Sequence, residues 1–220
     1  MRDFRIRLGK QNLELILLPE RVIYIPSWGA LLIADTHFGK AGHFRKAGIP
    51  IPEALHEEDL AKLSTLIREF GISDIYFLGD LFHSELNDSW WTLMEFTQQH
   101  ERVTFHLIMG NHDILPASCY QHQQWKVYDE GLIKENFILT HEPLENVPDG
   151  FINVCGHIHP GLTLRGKGKQ KMTLPCFYYN NQRLVLPAYG RFTGLVGMQG
   201  TSEDQFFVIA NDKIVEFSPV

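Results

Sequence analysis

The chain has 220 residues, 44% of them hydrophobic and 21% charged, and a formal net charge of −6 with histidine neutral. That length supports one domain (1–220) with a substantial core, and the composition excludes a disordered or fibrous chain. The acidic balance excludes the bulk basic field that marks many nucleic-acid binders, although bound cations can reverse the sign locally.

The beginning of the chain carries Arg2, Asp3, Arg5 and Arg7 with no apolar stretch behind them, so no signal peptide is read there. No apolar run approaches the roughly 20 residues that span a bilayer, and no membrane role is expected. Cys119, Cys155 and Cys176 are odd in number and form no CxxC pair. That argues against a disulfide framework or a thiolate zinc site and for a reducing compartment, so a cytoplasmic location is expected.

Phe4, Ile6 and Leu8 alternate with charge, residues 9–12 can turn, and Leu13, Leu15 and Leu17 resume the alternation, which predicts antiparallel strands. Residues 22–25 form another short strand, leading through Pro26 and Trp28-Gly29 to Leu31. A basic loop with Gly and Pro (39–52) precedes the clearest helix, with Leu60, Leu63, Ile67 and Phe70 as its buried stripe. Glu53, Glu57 and Glu58 favour its N-terminal half and Gly71 its C-cap. A strand at 75–78, a helix around 90–98, a strand at 103–109 and a short helical stretch near 115–123 follow. Beyond these, strands dominate. Residues 162–164 and 172–179 make a long hairpin, and 206–210 and 214–217 flank the turn Asn211-Asp212. Helices among the early strands and strands alone later predict two facing sheets with helices outside.

Five apolar runs stop abruptly on residues that ligate metals: LLIADTH (31–37), IYFLGD (75–80), FHLIMGNHD (105–113), FILTH (137–141) and INVCGHIH (152–159). Buried strands of α/β sheets read as continuous apolar runs, and ligands bind beyond their carboxyl ends. Asp35, His37, Asp80, Asn111, His112, His141, His157 and His159 are therefore expected on one rim, with donors enough for two divalent ions. In Asp35-x-His37 and His157-x-His159, positions i and i+2 share a face. Asp113 is placed as an acceptor that orients the His112 imidazole. Each motif alone is weak, and a turn or a surface histidine would explain it; the ordered set is what carries the reading.

That set, D-x-H, G-D, G-N-H-D, H and G-H-x-H, resembles the calcineurin-like metallophosphoesterases. The resemblance implies a four-layer α/β/β/α sandwich of two mixed sheets with a two-metal centre. Carried over by motif, Asp35, His37, Asp80 and His159 would hold one ion, and Asp80, Asn111, His141 and His157 the other, with Asp80 bridging. His112 would be the catalytic histidine. The resemblance favours manganese, while oxygen and imidazole ligation also suits iron or zinc. Residues 31–52, 78–84 and 174–194 further resemble the bacterial ligase-associated phosphoesterases. That implies a nucleic-acid substrate, and repair work beside an ATP-dependent DNA ligase and other repair proteins.

Lys40, Arg45 and Lys46 leave the first metal motif and are expected on the active rim as phosphate contacts. Arg165, Lys167, Lys169 and Lys171 read first as a solvated hairpin tip. Trp90 and Trp91 are read as packing rather than a base-stacking platform. His43, His56, His100, His106 and His122 are read as structural or surface residues, and His83 is left between a role beside the site and none. Three functions fit: a phosphodiesterase or nuclease acting on DNA or RNA, a hydrolase of small diesters such as cyclic nucleotides or nucleotide conjugates, and a scaffold without catalysis. The complete ligand set and His112 speak against the scaffold.

Overall fold

The computed structural model describes residues 3–40, 54–83, 86–166, 168, 170–191 and 193–219. Alternation at the start produces antiparallel β1 (Phe4–Leu8), β2 (Leu13–Leu18) and β3 (Val22–Ile25); a 3-10 turn at Pro26–Trp28 then leads into β4 (Ala30–Ile33). Helix α1 (Ala54–Phe70) connects β4 to β5 (Asp74–Leu78), and α2 (Asp88–Gln99) connects β5 to β6 (Thr104–Ile108). Strand β7 (Trp125–Tyr128) completes a seven-stranded sheet in the order β1 to β7. It is antiparallel through β4 and parallel from β4 onward. Parallel neighbours need a long crossover, which α1 and α2 supply for the first two pairs and residues 109–124 for β6 and β7.

Helix α1 buries Leu60, Leu63, Leu66 and Ile67. It ends on Gly71 at φ +63, with the Ile72 amide donating to the Ile67 carbonyl, a glycine-capped terminus. Helix α2 starts on Asn87, whose side chain accepts from the Ser89 amide at 3.0 Å. Trp90 packs inward as expected, but Trp91 is 60% exposed, because neighbouring helical positions point about 100° apart.

The second sheet uses β8 (Leu132–Lys134), β9 (Phe137–Leu139), β10 (Ile152–Cys155), β11 (Pro160–Arg165), β12 (Lys171–Asn180), β13 (Arg183–Val185), β14 (Val196–Gly197), β15 (Asp204–Ala210) and β16 (Lys213–Phe217). Its order is β14-β11-β12-β13-β10-β9-β8, with β15 on β12 and β16 on β15. It too is mixed: β9, β10 and β13 run parallel, while β12 is antiparallel to β11, β13 and β15.

Period-two alternation divides each strand of the first sheet between two cores. Leu31 and Ile33 of β4 face the helices with Leu63, Ile67, Leu93 and Phe96. Ala30 and Leu32 face the second sheet with Phe137, Val154, Phe177 and Leu184. The two mixed sheets thus pack face to face with the described helices outside the first, an α/β sandwich. The second sheet's far side carries a smaller cluster of Leu162, Cys176, Phe206 and Val208.

The stretch near 115–123, expected to be helical, contains a 3-10 turn at Ala117–Tyr120 behind Pro116, which cannot donate an amide bond. Among the described residues, no helix is long and apolar enough to cross a membrane, and all three cysteines are free thiols.

Candidate metal centre

Strands β4, β5 and β6 are parallel, so their carboxyl ends open on one rim, and β9 and β10 end against it from the second sheet. Leaving these strands, the chain turns so tightly that five expected ligands adopt the left-handed region: Asp35 (φ 54), His37 (φ 45), Asp80 (φ 52), His157 (φ 68) and His159 (φ 55). Such a conformation costs an L-residue about 1–2 kcal/mol, and it persists where surrounding bonds over-determine it. Here the His37 amide donates to the Asp80 carbonyl at 2.9 Å, the Phe38 amide to Leu81 at 2.9 Å and the His83 amide to Phe38 at 2.8 Å.

Asp35 and Asp80 are fully or almost fully buried, at 0% and 2% exposure, so something cationic must compensate them. Asp35 accepts the His157 amide at 3.0 Å and lies 3.3 Å from His159 Nε2. Asp80 faces two ways: Oδ2 is 3.8 Å from His37 Nε2, and Oδ1 is 3.5 Å from His141 Nε2 while accepting the His112 amide at 2.9 Å. Close by, His141 Nε2 lies 3.1 Å from both Asn111 Oδ1 and His157 Nδ1. All seven expected ligands therefore come together. Ligand atoms of Asp35, His37 and His159 lie within 4.8 Å of one another, as do those of Asp35, Asp80 and His141. The carboxylate common to these two groups is Asp35, so Asp35 and Asp80 both reach across the centre.

The donor set fits divalent ions. His141 Nδ1 lies 2.9 Å from the Leu78 carbonyl, which can only accept. The proton is thus fixed on Nδ1, and the Nε2 lone pair points toward Asp80 and Asn111, the tautomer a metal ligand requires. His37 Nδ1 and Nε2 and His159 Nε2 are buried without a hydrogen bond. Burial, joined by the charge of Lys40 and the rings of His159, His83 and His112, pushes the His37 pKa down to about 2. It stays neutral, with the lone pair of one ring nitrogen available.

Glycine is required where the segments meet. A Cβ on Gly110 would stand 2.4 Å from both the amide N and Oδ1 of Asp80. On Gly79, at φ +77, it would stand 2.2 Å from His141 Nδ1.

Asp113, expected to orient the His112 ring, instead accepts the Phe82 amide at 3.1 Å and the Gly110 amide at 2.9 Å. Burial raises its pKa to about 6 despite those two bonds. It ties the loops after β5 and β6 together, and among the described residues no hydrogen bond joins it to the His112 ring. Asp113→Ala strands two amides, each costing about 1–3 kcal/mol if left buried and unpaired. Thermal unfolding of the metal-free protein is expected several degrees lower; an unchanged midpoint would remove this role.

His112 is exposed at the mouth, its ring 5.5 Å from that of His37 and 4.8 Å from that of His83. His83, left open by the sequence, thus belongs to the site; its sequence signal was its position three residues after Asp80. Lys40 is half-buried beside the centre, its pKa lowered by burial and partly restored by Asp80. Arg45, Lys46, Lys167 and Lys169 lie outside the described residues, while Arg165 and Lys171 are exposed. Of the histidines read as structural, His106 is buried between Asp74 (2.8 Å) and the Tyr128 hydroxyl (3.1 Å), and His100 pairs with Ser64 at 2.9 Å.

Two buried carboxylates ringed by imidazoles and an amide, at the open end of a two-sheet sandwich, define a metal-dependent hydrolase. The family model for calcineurin-like phosphoesterases matches residues 30–189, and the chain belongs to that family of phosphoester hydrolases. Among solved structures it is similar to the Pseudomonas putida nuclease MPE, at 29% identity over 97% of this chain and 100% of that one, with a TM-score of 0.79. It also matches Yfce, a phosphoesterase from E. coli, at 12% identity over 86% of this chain and 98% of that one; the TM-score of 0.45 is too low to bear on the site. A search of curated proteins finds no match.

Proposed function

We propose that the chain is a two-metal phosphodiesterase that cleaves nucleic acid, with manganese as the working ion. Asp35, His37, Asp80 and His159 hold one ion; Asp80, Asn111, His141 and His157 hold the other. The observation that carries this reading is the convergence of these seven side chains from five strand ends, with exposed His112 beside them. Likeness to a nuclease along nearly the whole chain supports the polymer substrate. Repair work in the cytoplasm beside a DNA ligase is the corresponding setting, supported by the ligase-associated sequence stretches and the free thiols.

The bound ions would supply an activated water and Lewis-acid charge for in-line displacement at phosphorus. The chain's own groups do the rest. Asp35 and Asp80 offset only part of the positive charge, so the centre attracts an anion. His112, at the mouth, donates a proton to the leaving oxygen. The His112 amide donates to the Asp80 carboxylate, which anchors the backbone that carries that ring.

The test is turnover and product mapping on single-stranded, duplex and nicked DNA beside a chromogenic diester, with and without manganese. No metal-dependent cleavage of any of these would overturn the reading. The net charge of −6 favours the small-diester alternative, since the long-range field opposes a polyanion. Activity on small diesters alone would establish it.

Acid is expected to weaken the centre. Imidazole ligands must be neutral to bind metal, so metal binding competes with protons. Activity is therefore expected to fall below neutrality and to be restored by added manganese. A pH profile indifferent to metal concentration would contradict this linkage.

A further inference from the structure

Three residues, Pro19-Glu20-Arg21, connect β2 to β3, and the Arg21 amide donates to the Leu18 carbonyl at 3.0 Å. The third residue of such a connection is left-handed, and Arg21 has φ 67. Glycine or asparagine would fill that position without the penalty an arginine incurs.

The side chain there is half-buried and underused. Of its five N–H donors, the described residues satisfy one, from Nη1 to the Ala188 carbonyl at 3.0 Å. Arg21 lines a recess of about 310 Å³ together with Asp59, Lys62, Tyr189 and Arg191. Arg191 is held to Glu58 at 2.6 Å and Asp59 at 3.1 Å, and Lys62 Nζ lies 3.8 Å from Asp59. Glu20 and Asp59 line it too, and with Glu58 held on Arg191 the charges of Arg21, Lys62 and Arg191 are locally balanced, on a chain whose total is −6.

The recess adjoins the metal centre. Ile23 pairs with Leu32, so the turn before β3 lies beside the chain leaving β4. The segment that accepts from Arg21 runs along that chain, with the Tyr189 amide donating to Ala34 at 2.9 Å and the Gly190 amide to Asp35 at 3.1 Å. Asp59 and Arg191 also line a narrow gap that contains Thr36, His37 and Lys40.

We propose that this recess is a second phosphate subsite, taking the backbone phosphate of a nucleotide flanking the scissile bond, with Arg21 as its principal donor. The assignment rests on the nucleic-acid reading of the metal centre. A phosphate presents several acceptor oxygens to a guanidinium fork, which is the pairing Arg21 lacks. A free anion and a tethered one share this chemistry, but only a tethered phosphate makes affinity rise with strand length.

Arg21→Gly removes the donors while suiting the backbone, so the variant is expected to fold, as checked by its melting curve. Wild type and variant are compared with manganese on a chromogenic diester and on single-stranded DNA of increasing length. In the variant, the ratio of kcat/KM on DNA to that on the diester is expected to fall roughly tenfold, the loss of one charge-assisted contact. The gain with length is expected to disappear, and the slope of log affinity against log salt to flatten by about 0.7. Arg21→Lys is expected to recover part of the ratio, and Lys62→Gln, on an exposed helix face, to lower it less. If wild type cleaves DNA and neither Arg21→Gly nor Lys62→Gln changes the ratio or the slope, the recess is not a subsite and the nuclease reading stands. If wild type hydrolyses the diester but neither binds nor cleaves DNA, the nuclease reading fails and the subsite with it.

Discussion

Asp80→Asn is expected to deplete both metal positions at once. The two oxygens of Asp80 divide the centre, Oδ2 facing His37 and Oδ1 facing His141. Asparagine keeps the size but removes the charge and turns one acceptor into a donor aimed at a ligand. Removing one partner from a buried charged pair costs about 3–5 kcal/mol, which corresponds to about 10²–10⁴-fold in affinity. Asp35→Asn is the informative comparison. Its carboxylate lies against His159 and accepts the His157 amide, so its loss is expected to act first on the ion shared with His37 and His159. Elemental analysis of the purified variants separates the two. Asp80→Asn protein that retained two ions per chain would dispose of the bridge.

His112→Asn is expected to do the reverse, leaving the metals and removing the chemistry. The link from residue 112 to the centre runs through its backbone amide to Asp80, which asparagine preserves. The imidazole stands at the mouth beside His37 and His83. Loss of a positioned proton donor lowers turnover by about 10²–10⁴-fold. With a substrate whose leaving group needs no proton, such as a nitrophenyl ester, the loss is expected to be smaller. Protein that lost its metals with its activity would make His112 a ligand or a structural residue.

The residues that converge at the centre were legible in the sequence because each follows a short, mostly buried apolar strand, and such strands are the easiest to read. Continuous runs like LLI and YFL have little else they can be. Strands β7, β8 and β13 left little trace because they are short and carry exposed or half-buried positions, so their identity is set by the neighbour they join. Asp113 was placed correctly near the site but given the wrong partner: adjacency to His112 in sequence says nothing about which amides converge on a buried carboxylate. Arg21 left no trace at all. Its position beside the centre depends on the β3–β4 register and on residues 188–190 returning to the rim, both of which are tertiary facts.

The bond from the His157 amide to Asp35 spans 122 positions of the chain, and the Gly190 amide reaches back to the Asp35 carbonyl. During synthesis, the first sheet's ligands therefore emerge long before the groups that hold them in place. A nascent chain stopped short of β10 carries Asp35, His37 and Asp80 with only β8 and β9 of the second sheet beside them. The centre is therefore complete only once residues 157–190 have joined the first sheet.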